Sequence, residues 1–432
     1  MDKLRCSSWK NGFKNALGAS LTDRHALLKN LFLLNLLILA LWAFWGIHFS
    51  LFPKMGLLLH ANPDSAKYIA VSDWIYGKGP ATYQTFLRAF LYPLLLGVKF
   101  VAGNFGIWLL QIFLLISAIN LLAFTIHKMS NRRIVVQGAF LVVALYPTFF
   151  FMTFRVMTEA LTVFLLCVWL YCSVSTLKKN KLTDSSVFRL IFIAGLLSVT
   201  KPVFLPFFIF LVFTMLVIKF SLRRFLLVIL SSLPLVCQVG INIHLHNQIV
   251  FSKSGTTSIN AYFFPRLLAQ VRYHESHPGM GGFPEFTHSQ KKLLSLEISS
   301  WSTKKRLAFL FHHWPQAIKI FFLNIFQENM IQGFGEIPNR FFYYSTKIFN
   351  MIALVLHFYM LPVILFIFLK KIGSLANRIW LLLHVSLFIS LTLAVGTVFW
   401  QRERYVFIMI PLWISLYVHV VSSLRAKIRL SC

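Results

Sequence analysis

The stretch LFLLNLLILALWAFWGIHFSLF, residues 31–52, decides the fold, because it is a long apolar run without one charged residue. A helix needs about 20 mainly apolar residues to cross the hydrocarbon core of a bilayer. The run is too long for the apolar part of a secretory signal peptide, and no small-residue cleavage site follows it. We therefore predict a retained signal anchor, preceded by a basic cytoplasmic tail over residues 1–30.

Similar apolar runs recur along the chain and predict an all-α polytopic membrane protein with about ten transmembrane helices. The other predicted spans are 105–126, 134–153, 156–177, 187–200, 203–220, 225–244, 346–369, 379–399 and 405–424. The composition agrees: the 432 residues are 58% hydrophobic and only 12% charged, with a mean hydropathy of +0.72. A soluble domain carries about 25% charged residues.

The formal charge of +30 would suit nucleic acid, but the basic residues cluster in short loops between the apolar runs. The basic loops are 128–133, 178–189, 219–224 and 370–378, and the tail 425–429 is also basic. With ten spans and a cytoplasmic N-terminus, all of them face the cytoplasm, as the positive-inside rule requires. We therefore expect membrane lipid around the chain, both termini in the cytoplasm, and no nucleic-acid partner.

This topology divides the chain into four parts. A cytoplasmic tail, 1–30, precedes a transmembrane module, 31–246, which includes the first external loop, 53–104. A long external loop, 247–345, and C-terminal transmembrane helices, 346–432, follow. Within the first loop, Arg88, Pro93 and Lys99 interrupt the apolar segment 85–103. We interpret that segment as a re-entrant or juxtamembrane helix rather than a span.

Most of the 12 Asp and Glu residues fall outside or at outer span ends, and Asp64 is the most prominent. It opens a predicted amphipathic helix that starts after Asn62 and stops at the glycines near residue 77. Helical spacing places Tyr68 on its face, whereas Asp73 points elsewhere, so the two aspartates form no adjacent pair. Asp64 is either a first-turn acid favoured by the helix dipole or a functional carboxylate.

Three further outer junctions carry charge. Glu159 follows Arg155 by four residues, which predicts either a local ion pair or a substrate-binding carboxylate beside an anion-binding arginine. Lys201 precedes the helix-breaking Pro202 and is either a snorkelling lysine or a phosphate ligand. Arg404 in WQRERY has the same two interpretations. Histidines at 274, 277, 312 and 313 lack a zinc-specific spacing, so we predict no metal site there.

Several motifs resemble those of GT-C-fold membrane glycosyltransferases. They are PDSAKYIAVSDWIYGKG (63–79), RAFLYPLLLGVKFVAGNFG (88–106), VALYPTFFFMTFRVMTEALTVFLL (143–166), SVTKPVFLPF (198–207) and RERYVFIMIP (402–411). The family includes bacterial relatives of protein O-mannosyltransferases and aminoarabinose transferases. The resemblance covers the first half of the chain well and the second half only through the final span.

The resemblance implies a GT-C-like fold and a reaction: transfer of a sugar, with inversion, from a polyprenyl-phosphate donor to a glycan, lipid or protein acceptor. The enzyme would lie in the bacterial inner membrane with its active site facing the periplasm. Asp64 would be the general base. Glu159, Tyr68, Lys67 and Arg88 would bind substrate, and Arg155, Lys201 and Arg404 the lipid phosphate.

Two departures from the family leave the acceptor and any divalent metal open, although no cofactor is required. Ser65 stands where many members have a second acid, and RAFLYP replaces a family H-P-P motif. Two other functions remain as alternatives: a flippase or transporter of lipid-linked glycans, and an enzyme like an O-antigen polymerase. The first needs a polar central cavity, whereas the second depends on arginines in the long loop rather than on Asp64. The absence of acids in the middle of the spans argues against transport.

Overall fold

The computed structural model describes residues 2–60, 63–130, 132–179, 182–218, 221–253, 259–277, 288–325, 344, 347–352, 355, 359, 362–364, 375–397 and 404–431. For residues 2–24, 63, 86, 179, 288, 375–377, 394–396, 404–406 and 423–431 only the backbone is described. Within these ranges the chain consists of helices and turns and contains no β-strand. The predicted all-α class is therefore confirmed for the described part of the chain.

The first half of the chain contains thirteen α-helices in the described residues. They are α1 (Asp2–His48), α2 (Met55–His60), α3 (Pro63–Ile75), α4 (Gln84–Leu87), α5 (Leu91–Leu95), α6 (Lys99–Ser130), α7 (Arg133–Ala144), α8 (Pro147–Met152), α9 (Glu159–Lys179), α10 (Asp184–Thr200), α11 (Leu205–Ile218), α12 (Leu222–Ser231) and α13 (Leu233–His246). Short 3₁₀ turns, Leu96–Val98 and Pro202–Phe204, precede α6 and α11.

The second half begins with a π-helical turn, Ile259–Phe263. The described helices that follow are α14 (Phe264–Ser276), α15 (His288–Ser299), α16 (Thr303–His312), α17 (Trp314–Leu323), α18 (Leu375–Thr397) and α19 (Arg404–Ser431). The predicted external loop, 247–345, is thus largely helical where it is described. Most of the predicted span 346–369 lies outside the described residues.

The core of the bundle lies between α6, α9, α10 and α19, where α6 packs along α9 and α19 contacts both. Trp169, Phe149 and Phe407 are fully buried there. Other large apolar side chains face outward: Phe32 on α1, Phe113 on α6 and Phe213 on α11 are each 63–64% exposed. Helices that are apolar on both their packed and their outer faces are typical of membrane spans, and they mark the chain as an integral membrane protein.

The structure supports fewer spans than the sequence predicts. Among the described residues, His25–His48, Leu91–Ser130 and Glu159–Lys178 are long and apolar enough to cross a membrane. The pair α12 and α13, bent by 51°, would add a fourth. At other predicted spans the described helices are apolar but only 10–17 residues long. The number of ten spans therefore stays a prediction.

Prolines and glycines explain where predicted spans are broken. The predicted span 134–153 splits into α7 and α8, because Pro147 cannot continue the helix. Pro234 lies at the bend between α12 and α13. The segment 85–103 is not one straight helix but α4, α5 and a 3₁₀ turn, and α6 then kinks at Gly103, whose φ is +57°. Residues 91–103 also belong to the candidate span Leu91–Ser130, so the re-entrant or juxtamembrane position of 85–103 stays a prediction.

Candidate functional site

The helix that carries Asp64 begins and ends where its sequence predicts. Pro63 occupies the start of α3, where a missing backbone N–H is harmless, and Asp64 lies in the first turn. The helix ends at Ile75, and Gly77 then adopts a φ of +66°, a conformation that glycine allows at little cost. Asp64 therefore lies in the first turn of its helix, where the helix dipole favours an acid. Its side chain is 20% exposed.

Two cations meet the carboxylate of Asp64. Arg88 Nη2 donates to Asp64 Oδ1 over 2.6 Å, and Lys67 Nζ donates to the same oxygen over 3.1 Å. Arg88 comes from the turn after α4, so the pair connects distant parts of the first loop. Its guanidinium also lies 4.9 Å from the centroid of the Tyr68 ring and donates to the Tyr68 hydroxyl over 3.4 Å. Four predicted site residues thus come together at the start of α3.

Asp73, near the other end of α3, has a different partner. Lys99 Nζ donates to Asp73 Oδ1 over 2.6 Å. The prediction that the two aspartates point to different surroundings is confirmed by these contacts. Neither belongs to a metal cluster in the described residues, where no three His, Cys, Asp or Glu side chains come together.

The start of α3 is docked against the turn between α8 and α9. Ser65 is buried and its hydroxyl donates to the carbonyl of Val156 over 3.2 Å. The Val156 amide in turn donates to the carbonyl of Leu59 at the end of α2. Arg155 lies in this turn and is 6% exposed. Because α8 ends at Met152 and α9 begins at Glu159, Arg155 lies in the turn between them and does not share one continuous helix with Glu159.

Glu159 is fully buried and pairs with Lys201. Lys201 Nζ donates to Glu159 Oε1 over 3.0 Å, and the lysine side chain is 12% exposed. Lys201 has an extended backbone between the end of α10 and the 3₁₀ turn that starts at Pro202, so the predicted helix break at this proline is confirmed. The residue at the end of one helix therefore neutralises the acid at the start of another. Isolated buried charges are very costly, which makes this pair a strong constraint on the fold.

Tyr92 connects the two carboxylate sites. Its ring is fully buried and stands edge-on to Tyr68, with 5.3 Å between the centroids. Gln111 on α6 donates to its hydroxyl. Tyr92 also lies within electrostatic range of Glu159. The start of α3, the turn before α9 and the end of α10 therefore form one region. We call it the outer site, after the side of the membrane that the sequence predicts for it, and it comprises Asp64, Lys67, Tyr68, Arg88, Arg155, Glu159 and Lys201.

Arg404, the remaining predicted phosphate ligand, begins α19, and its side chain is outside the described part. Its place in the outer site remains a prediction.

Sequence reasoning missed two features of this region. The first is the contact of Ser65, whose buried hydroxyl donates to a carbonyl oxygen. A carboxylate at this position could not donate to that oxygen, because an ionised acid only accepts hydrogen bonds. The second is Lys291 on α15. Burial lowers the pKa of its ammonium group, and the nearby charge of Lys67 lowers that pKa further. The long external segment thus brings another cation within electrostatic range of α3, which no short motif indicated.

No protein-family model and no curated protein matches the chain. Among solved structures, it is similar to the crystal structure of ArnT from Cupriavidus metallidurans bound to undecaprenyl phosphate. The two are 9% identical, and the match covers 84% of this chain and 77% of that chain with a TM-score of 0.38. A likeness of that size does not establish a shared function, so the function must be argued from contacts within this chain.

Proposed function

We propose that this chain is a membrane glycosyltransferase that moves a sugar from a polyprenyl-phosphate donor to an acceptor at the outer site. The observation that carries the proposal is the partly exposed carboxylate of Asp64, which contacts both Arg88 and Lys67. Such a site offers a proton acceptor and cationic side chains in one place. Both are needed when an acceptor hydroxyl displaces a phosphate from a sugar.

Asp64 is proposed to take the proton of the acceptor hydroxyl as the new glycosidic bond forms and the bond to phosphate breaks. A single base of this kind implies attack from the face opposite the leaving group, and therefore inversion at the anomeric carbon. Arg88 and Lys67 are proposed to stabilise the charge that develops on the departing phosphate, since charge-assisted hydrogen bonds to phosphate are among the strongest in proteins. Tyr68 orients Arg88 through its ring and hydroxyl.

Arg155 and Lys201 are proposed to extend the cationic surface that holds the lipid phosphate, with Arg404 as a further ligand. Glu159 keeps Lys201 in place through their 3.0 Å pair. A direct contact between Glu159 and a sugar hydroxyl remains a prediction, and it requires this pair to open, because the carboxylate is fully buried.

The two alternatives have less support. A transporter needs a polar passage, whereas a half-open cavity between α7 and α19 in the described part of the chain is lined by apolar side chains such as Val142, Phe349 and Ile410. A polymerase-like enzyme would use arginines of the segment 247–345. There, Arg266 donates to Asn324, Arg272 pairs with Glu297, and Arg306 donates to the carbonyl of Ile298, so the described arginines hold the segment together.

The test incubates the purified protein in nanodiscs with a panel of radiolabelled polyprenyl-phosphate sugars and membrane-extract acceptors. We expect one donor to be consumed, with release of polyprenyl phosphate and appearance of label in an acceptor. Movement of an intact donor across a vesicle bilayer without bond cleavage would instead support the transporter.

A further inference from the structure

Helices α16 and α17 of the long external segment expose aromatic and aliphatic side chains that nothing in the outer site uses. On α17, Trp314, Ile318 and Phe322 are 59%, 46% and 44% exposed. On α16, Leu307 and Phe311 are exposed as well. The spacing of four residues places each set on one side of its helix. We call these five residues the apolar stripe.

A neighbouring helix shows that this exposure is not general in the segment. On α14 the exposed residues are polar, namely Arg272, Glu275 and Ser276. Its apolar residues Leu267 and Val271 are buried against Ala317 and Ile320, which lie on the inner side of α17. Both helices thus bury an apolar face in one small core, but only α17 is also apolar on its outer face.

The charge around the stripe indicates what covers it. Residues 303–323 contain four Lys or Arg and no Asp or Glu. Lys304, Lys305 and Lys319 are exposed beside the apolar side chains. An exposed apolar face with Trp and Phe, flanked by lysines, is typical of helices that lie in the interface of a membrane with anionic lipids.

The position of α17 in the fold agrees with a membrane surface. It contacts α18, an apolar helix of the bundle, and Phe321 packs against both the bundle core and the small core of the segment. The segment follows α13, whose last residue, His246, is hydrogen-bonded to Thr85 of the first loop over 2.9 Å. The stripe is therefore tied to the bundle on the side where the first loop lies.

We propose that α16 and α17 lie on the bilayer surface beside the outer site, with the apolar stripe among the lipid chains and the lysines on anionic phospholipid headgroups. The long segment is then anchored by lipid as well as by its contacts with α18. This surface is independent of the proposed reaction, because none of its residues belongs to the outer site.

Photo-crosslinking in the full chain tests this surface. Ile318→p-benzoylphenylalanine is compared with Glu275→p-benzoylphenylalanine in nanodiscs of mixed phosphatidylglycerol and phosphatidylcholine. We expect phospholipid adducts at position 318 at least about fivefold above those at 275, enriched in phosphatidylglycerol. Lys319→Glu should remove that enrichment, whereas Lys292→Glu, an exposed lysine on α15, should leave it unchanged.

Cross-links from position 318 to a second copy of the chain, or equal lipid adducts at both positions, would overturn the proposal. Lipid adducts without enrichment, or enrichment that survives Lys319→Glu, would refute its electrostatic part. Sugar transfer is not measured, so these outcomes are distinct from a failure of the proposed enzyme.

Discussion

Asp64 and Glu159 occupy adjacent elements, and each pairs with basic side chains, yet their surroundings differ in one respect that decides what they can do. The Asp64 side chain is 20% exposed, and the basic side chains that contact it are partly exposed as well. The Glu159 side chain is completely buried and pairs with Lys201. A carboxylate that exchanges protons with a substrate must be reachable, while a fully buried pair holds elements together. We therefore propose Asp64 for the chemistry and Glu159 for the placement of Lys201.

Breaking the buried pair should have the largest effect on the fold. Lys201→Met leaves the Glu159 carboxylate buried without its lysine, which we expect to cost about 3–5 kcal/mol of stability. The double variant Glu159→Gln/Lys201→Met should regain part of that loss, since no charge is left behind. Thermal unfolding in detergent measures both. If the single and double variants unfold like the wild type, the two carboxylate sites do not differ as argued.

Removing a cation at the exposed site should affect donor binding rather than folding. Arg88→Gln deletes a 2.6 Å charge-assisted contact at the place proposed for the phosphate, so we expect donor affinity to fall about tenfold. The matched control is Lys99→Gln, which deletes the 2.6 Å contact to Asp73 at the other end of α3. Binding is measured with undecaprenyl phosphate as the probe, because it carries the phosphate and the prenyl chain of the proposed donor without the sugar. An equal loss in both variants would show that helix placement, not phosphate contact, is responsible.

The smallest expected effect concerns Lys291 and pH. Its pKa in the folded protein is lowered by burial and by the charge of Lys67, so the unfolded chain binds more protons between that pKa and 10.5. Stability of the wild type should therefore rise with pH through this range relative to Lys291→Gln. Because Lys291 is partly exposed, we expect a relative shift in the unfolding temperature of about 1 °C. Lys292→Gln is the control, and an identical pH slope in both variants would contradict the assignment.

Local signals made much of the outer site predictable. Pro63, Gly77 and Pro202 end or begin helices through backbone constraints that act within a few residues, so the placement of Asp64 and Lys201 at helix ends followed from the sequence. Contacts between distant segments were not predictable. Glu159 pairs with Lys201, which lies on the far side of α9 and α10 in the sequence, and no spacing within a single helix indicates that contact.

The same limit explains the span count and the long segment. Hydropathy marks apolar runs but not the bends inside them, such as the break before Pro147 or the 51° bend between α12 and α13. It also gave no account of residues 247–345, where small cores form between helices of the segment. Those cores depend on residues as far apart as Leu267 and Ile320, which no local pattern connects.

A single-turnover assay with preloaded polyprenyl-phosphate sugar tests the central assignment most directly, by comparing Asp64→Asn with Asp73→Asn. Both aspartates lie on α3 and each pairs with a basic side chain at 2.6 Å. The account predicts that Asp64→Asn lowers the rate of sugar transfer by about 10²–10⁴-fold while donor stays bound, and that Asp73→Asn stays within about threefold of the wild type. Transfer at the wild-type rate by Asp64→Asn, or an equal loss in both variants, would contradict it.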